Sequence, residues 1–562
     1  MVRICCLQRL SGILIPRIGF IMKRILVFLL SLNLYSCTHA TTYYVATSGS
    51  DLTGNGSAKM PWASLHHASS SVTTPGDIIH LAAGTYTETL KSVLPPGVSL
   101  QGDGISTIVH LTFYDSTIHD AALCLTSPKE GMDGSQTISN IWFDGSNDAC
   151  YIGVLVRCRS NVIIHDCKFT GFSHGAVFFD GKLEGQRVAP AVYSTGNQFY
   201  NNTVLDCMRG HLDREPGWGS LALAGQGDFL LHDNYLANNG RPTGQNGDIV
   251  GMVEGWNANL TMYNNTLIKP NIDEGNSNNM MIESWRDQGN MHVYNNIFQG
   301  GGCAIDIAQE GANRGSLGYS WYIDSNLFTM PVQYAKFPTE VWSSAPMGIN
   351  VETENPNGGY IVIEKNHFHK LGVALQFSLN HTTTEIVRNV IFAENLCDSL
   401  GYTDGSGFGF INFINTKGAS IDSVAIDNNT FIGWHIKAGI FFNMASASAG
   451  NDVDTLFLRN NFINGVTGSS SSAYGYLTYF GNKNISHFYV QNNFAHGNAQ
   501  QNSVYSAKFT GKVTNSSITA PATSDPAFDE KFRLAAGSPA IGAGVEVGHG
   551  KDVGAHSFID SH

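Results

Sequence analysis

Carboxylates recur at matching places in a series of short alternating stretches, and these are the residues best placed to do chemistry. Gly251–Glu254, Met280–Glu283, Ile305–Ala308 and Ile349–Glu352 each put apolar side chains on one face and a polar or acidic one on the other. If such stretches are neighbouring parallel strands, equivalent residues stand about 4.8 Å apart. Glu254 and Glu283 would then form a close pair, with Asp306, Asn350 and Glu352 continuing the row and Asp180 preceding it. Like charges at that distance raise a pKa or recruit a cation. Carboxyl pairs about 5–5.5 Å apart serve retaining glycoside hydrolysis, and pairs about 6.5–9.5 Å apart serve the inverting reaction. Glu254 with Glu283 fits the first distance. Glu283 with Asp306 fits either, because the alignment of the Asp306 stretch is open by two residues.

Rings and cations accompany the acids. Trp256 and Trp285 each follow a glutamate by two residues, so both are expected outward in adjacent coils, with Arg286 directly after. Flat rings stack on pyranose faces while acids meet hydroxyls, so this row reads as a sugar cleft with Glu254, Glu283 and Asp306 as catalytic candidates. Insertions should wall it: 330–346 with Lys336 and Trp342, 182–189, and 211–218 with His211, Asp213, Arg214 and Trp218. A second chemistry stays open. Arg157, Arg286 or Lys269 could act as the base of a β-elimination on a uronate, with Ca²⁺ held by the acids as a possible cofactor. For hydrolysis no cofactor is needed.

The elements that hold these residues repeat. Asn, any residue, then a large apolar residue occurs at Asn140, Asn202, Asn234, Asn265, Asn296, Asn326, Asn366, Asn395, Asn429, Asn460 and Asn492, with Cys167 in the equivalent place. From Asn202 the interval is about 31 residues, stretched to 40 between Asn326 and Asn366. Strands this short at that period describe one turn of a β-solenoid. Asn suits the corner because it tolerates the left-handed backbone, and stacked Asn side chains can form an amide ladder. The composition agrees: 61 Gly, 11% aromatic and only 14% charged residues, too apolar for disorder and too rich in turn formers for helices.

Net charge is −13, which argues against nucleic acid and polyanions, and neither a phosphate loop nor a Cys-x-x-Cys or His-Glu-x-x-His motif points to nucleotide or zinc. Past Ala40 there are seven cysteines, at irregular spacing. They read as small buried apolar side chains, with a Cys158–Cys167 disulfide as the alternative. Lys23, Arg24 and the apolar run 25–34 read as an export leader that starts at Met22. It is followed by a cleavage site at Thr38–Ala40, or by a lipobox that would anchor Cys37 to a membrane. The expected location is therefore secreted, periplasmic or cell-surface.

The opening Tyr43–Asp51, Pro61–Leu65 and Pro75–Tyr86, and the closing Asp525–Phe528, Leu534, Gly537–Ile541, Gly544 and Asp552–Ala555, resemble the ends of secreted right-handed parallel β-helix proteins of the pectate-lyase-like superfamily. The resemblance implies an all-β, single-stranded solenoid of about 12 coils. It would divide the chain into a signal region 1–40, a β-helix with its amino-terminal cap over 41–520, and a carboxy-terminal cap over 521–562. It implies a polysaccharide or oligosaccharide partner but no single activity, since such scaffolds host hydrolases, lyases, epimerases and adhesins. A glycoside hydrolase is the first expectation; a polysaccharide lyase and a non-catalytic glycan-binding solenoid are the alternatives.

Overall fold

A computed structural model describes residues 40–547 and 553–554, apart from 114–119, 148, 184–187, 209–218, 240–247, 253–254, 270–279, 310–319, 333–345, 354–358, 379–385, 388, 403–408, 416–419, 435, 437, 445–452, 466–477, 480–484, 497–512, 519–521 and 529–531. Three long sheets of 17, 14 and 13 strands run through residues 42–518, and every strand pair whose register defines them is parallel. Each coil gives a strand to each sheet in turn. One coil runs through Thr261–Tyr263 in sheet 1, Thr266–Ile268 in sheet 2 and Met280–Trp285 in sheet 3. The next repeats this with Met291–Tyr294, Ile297–Gln299 and Cys303–Gln309. The architecture is the parallel β-helix expected from the period.

Sheets 1 and 2 meet at a two-residue corner, and its residues divide the labour differently from the expectation. The left-handed residue is the first of the two: Asp233, Asn264, Asn295, Ser325 and Lys365 all have φ between 53° and 58°. The second is the ladder asparagine. Asn296 donates from Nδ2 to Asn326 Oδ1 at 3.0 Å, and its backbone N–H reaches the same oxygen at 2.9 Å. Asn326 repeats both bonds to Asn366, and Asn366 to Asn395. At the carboxy-terminal end the ladder runs through Asn461 and Asn493, one residue beyond the Asn460 and Asn492 picked from sequence. Cys167 does occupy the equivalent corner, its N–H bonded to Asn202 Oδ1.

Inside, apolar side chains from the three sheets fill one continuous core. Phe298, Phe328 and Phe368 stack at 4.9 and 4.7 Å, the repeat of the coils. Where Cys397 takes the next place in that row, Phe392 from sheet 1 fills the space between Phe368 and Phe431. On the outer face of sheet 1, His165, Tyr200, His232, Tyr263 and Tyr294 stack in the same way at 4.7–5.1 Å. At the amino end the helix Leu65–Ser71 buries Leu65 and Ala68 against this core. The seven described cysteines are all buried and free, so the Cys158–Cys167 disulfide does not form. No described helix is long and apolar enough to cross a membrane.

Two stability effects follow. Phe368→Ala should cost about 3–5 kcal/mol in urea unfolding, because the rings on either side cannot close the gap; a loss below about 1 kcal/mol would show a misplaced register. Asn296→Ala leaves buried backbone groups of two coils unpaired and should cost about 1–3 kcal/mol. Asn295→Gly, at the left-handed position next to it, should change stability by less than about 0.5 kcal/mol.

Candidate active site

The strands of sheet 3 alternate between the core and the opposite face. Ile282, Ile305, Ile307, Ile349 and Val351 belong to the core. Glu283, Asp306, Asn350, Gln376 and Asn412 form one unbroken row on the other face, each directly opposite the next. Glu283 and Asp306 are thus nearest neighbours on adjacent strands, about 4.8 Å apart along the backbone. The pairing expected between Glu254 and Glu283 is replaced: Gly251 stands opposite Glu283, because the preceding strand is offset by three residues from the sequence alignment. Glu254 itself lies outside the described residues.

Side-chain bonds draw further groups to this pair. Asn350 Nδ2 donates to Asp306 Oδ1 at 2.8 Å and to Glu352 Oε1 at 2.7 Å. One amide nitrogen shared in this way holds the two carboxyl oxygens within about 5.5 Å of each other. Asn350 is held in turn by Ser378 Oγ at 2.9 Å, which also receives Gln376 Nε2 at 2.9 Å. On the other side Glu283 shares a side-chain hydrogen bond with Asp248, just before the strand Val250–Met252. Lys269 lies close enough to act electrostatically on Asp248 and Glu283.

Asp248, Asp306 and Asn350 are each 1% exposed, and Lys269 and Glu352 are also buried; Glu283 is the member that keeps part of its surface open. Burial, the charge of Asp248 and the hydrogen bond that Glu283 donates to it push the Glu283 carboxyl well above the usual range, with Asp306 and Glu352 adding to the effect. Burial and the charge of Glu352 raise Asp306 likewise, against the pull of the Asn350 bond. Burial also raises Asp248, although the bond to Glu283 and the charge of Lys269 oppose it. The Lys269 ammonium is pushed down to about 8 by burial, against the pull of Asp248 and Glu283. Carboxyls whose hold on a proton is raised above the ordinary range, next to a group that accepts that proton, are what acid–base chemistry requires.

The aromatic candidates fare unequally. Trp285 lies on the same strand face as Glu283 and is half-buried. Trp256 does not face outward. It is 2% exposed, with φ 56°, at the corner leading from sheet 3 back to sheet 1. Its counterpart in the next coil is Arg286, φ 61°, whose guanidinium lies 5.9 Å from the Trp256 ring, so a pair of parallel exposed tryptophans is not formed. Both indole N–H groups are nonetheless buried without a hydrogen-bond partner among the described residues. The Trp285 donor, on the strand face of Glu283, suits a polar ligand.

Asp180 stands apart from the cluster, in contact with Arg157 at 3.5 Å and with the Lys182 N–H at 3.1 Å. His211, Asp213, Arg214, Trp218, Lys336 and Trp342 lie outside the described residues. Two acids were not anticipated. Asp248 precedes its strand, where alternation gives no signal. Asp287 ends a second, shorter ladder at the sheet 3 to sheet 1 corner, running Asn197, Gln226, Asn257, Asp287. Burial lifts Asp287 to about 7, against bonds from Ser284 and Asn257 that lower it.

No family model matches the sequence, and no curated protein does. Solved structures with a similar course of the chain include the catalytic domain of a GH87 alpha-1,3-glucanase in complex with nigerose, 11% identical with a TM-score of 0.40 over 74% of this chain and 68% of that one. The A-module of the Azotobacter vinelandii mannuronan C-5 epimerase AlgE6 is 11% identical, TM-score 0.40, over 82% and 93% of the two chains. Pectate lyase Pel9A is 14% identical, TM-score 0.33, over 92% and 96%. Three different reactions are represented among them, and the site of this chain is read from its own residues.

Proposed function

We propose that this chain is an extracytoplasmic glycoside hydrolase acting on a polysaccharide, with Glu283 as proton donor and Asp306 as nucleophile or base. The observation that carries the reading is the buried pair itself. Glu283 and Asp306 are opposed on adjacent strands about 4.8 Å apart along the backbone, a register that allows their carboxyls the separation of about 5–5.5 Å of the retaining geometry. Glu283 is the open member, and burial together with Asp248 strengthens its hold on a proton. It can therefore hand that proton to a leaving glycosidic oxygen. Asp306 is turned by Asn350, whose other bond fixes Glu352, so its free oxygen is positioned for the anomeric carbon. Asp306 acts in those chains whose raised carboxyl has lost its proton, and the same bond supports that anion as positive charge develops on the sugar. Trp285 flanks the donor on its strand and offers an apolar face to a ring.

One observation favours a second reading. Lys269, held at about 8, is a base available near neutral pH, as a β-elimination would need. The two reactions leave different products, so a polysaccharide panel separates them: hydrolysis yields reducing ends alone, and elimination adds the ultraviolet absorbance of an unsaturated sugar. Glu283→Gln keeps shape and removes the proton donor, so turnover into reducing ends should fall at least about 10²-fold with the fold intact. Full activity in that variant would sink the hydrolase assignment. An unsaturated product that disappears in Lys269→Met would install the lyase in its place.

Stability against pH provides a separate check on Asp306. Its folded pKa is raised, so above the ordinary carboxylate range the folded chain holds a proton that the unfolded chain has released. That contribution is fully present at low pH and is lost as pH rises. Asp306→Asn removes the dependence. The variant should match the parent near about pH 4 and gain on it by up to about 1.4 kcal/mol per pH unit above that, until the folded carboxyl titrates. Turnover should fall at the same time. Denaturation midpoints measured across that range decide the matter, and a constant difference would mean that folding does not raise the Asp306 carboxyl.

A further inference from the structure

Sheet 2 carries a second constellation, away from the acids of sheet 3. The strand His367–His369 alternates His, Phe, His, so Phe368 enters the core and both imidazoles stand on the outer face. The neighbouring strand Leu396–Gly401 sets Cys397 opposite Phe368 and Asp398 opposite His369. Asp398 is 5% exposed, whereas both histidines are half-open to solvent. The ring nitrogens converge on one carboxylate. His367 Nε2 donates to Asp398 Oδ1, and His369 Nδ1 approaches Oδ2 at 2.9 Å and Oδ1 at 3.1 Å. Burial acts to raise the Asp398 carboxyl, yet the bonds and charges of the two histidines hold it well below the usual range, so an anion faces the rings.

We infer that His367, His369 and Asp398 form a binding site for one divalent transition-metal ion of the zinc class. Three ligand atoms, two imidazole nitrogens and one carboxylate oxygen, lie within 4.8 Å of one another. Zinc takes such ligands at about 2.0–2.2 Å, so small rotations of the two rings suffice to admit it. The backbone already supplies the arrangement: two residues apart on one strand puts both histidines on one face, and the parallel register brings the aspartate level with the second. Nitrogen donors favour zinc, nickel or cobalt over calcium or magnesium, which prefer oxygen. Three protein ligands leave a coordination position for water or a ligand atom, as in open rather than closed zinc sites. The positions opposite the trio in the coils before and after it are Leu327, Thr329 and Ile432, none of which adds a charge.

The competing account is that Asp398 merely clasps two coils through its bonds to the histidines. The tag-free full-length chain is dialysed against Zn²⁺ and its metal content measured, alongside a His367→Gln/His369→Gln double variant and Asp398→Asn. The site predicts saturable uptake of one Zn²⁺ per chain above the double variant, with affinity at least about tenfold weaker in Asp398→Asn. It also predicts release of protons on binding and no comparable effect of Ca²⁺. Co²⁺ in place of Zn²⁺ should give the visible absorption of a low-coordinate site. Circular dichroism confirms that each variant is folded; should the double variant fail to fold, Asp398→Asn and the Co²⁺ spectrum carry the decision. Equal Zn²⁺ uptake by the parent and the variants, or none by the parent, overturns the site and leaves the clasp.

Discussion

One interaction sets the geometry of everything else: the asparagine ladder at the corner between sheets 1 and 2. From Asn265 to Asn493 each ladder oxygen accepts both a backbone N–H and a side-chain N–H from the coil before it, as Asn326 does for Asn296. Each amide also donates to a backbone carbonyl, as Asn326 does to Val293 at 2.8 Å. Buried backbone groups at a corner have no strand partner to satisfy them, and leaving them unpaired costs about 1–3 kcal/mol each. A slip of one residue between coils would break this whole set at once. Register is thereby fixed coil by coil, and the Phe298–Phe328–Phe368 stack and the His–Tyr stack on sheet 1 fall into line as consequences.

This explains what was legible in the sequence. The ladder residues from Asn202 to Asn429 and the phenylalanines two positions later follow directly from the Asn period, because a short corner of constant length joins them; at Asn140, Asn460 and Asn492 the period marks the left-handed residue just before the ladder position. Sheet 3 is less readable, because the chain reaches it from sheet 2 by connections of unequal length. Ile268 to Met280 is long, whereas Gln299 to Cys303 in the next coil is short. Alternation alone then had to set the register. It succeeded for Asp306, Asn350, Gln376 and Asn412, where flanking apolar residues are unambiguous. It failed for the strand at Gly251, where a slip of three residues carried Glu254 into line with Glu283 and turned Trp256 outward. Asp248 lies before its strand and the His367–Asp398 contact links different coils, so neither leaves a periodic trace.

The acid cluster is the part of the molecule that opposes folding. Asp248, Glu283, Asp306 and Glu352 are gathered with Lys269 in a setting that hydrates none of them fully. A hydrophobic row in the same place would fold more firmly, as the upstream part of that face does with Cys124, Leu155, Phe178 and Ala222. The contrast lies within one ladder of one sheet, between coils of the same construction. Where the row turns from apolar to acidic, the amides of Asn350 and Gln376 and the hydroxyl of Ser378 appear beside it to orient the carboxyls. A solvated surface row would need no such support. Stability given up at one place, with neighbours that hold each group in position, is the arrangement that the proposed active site requires.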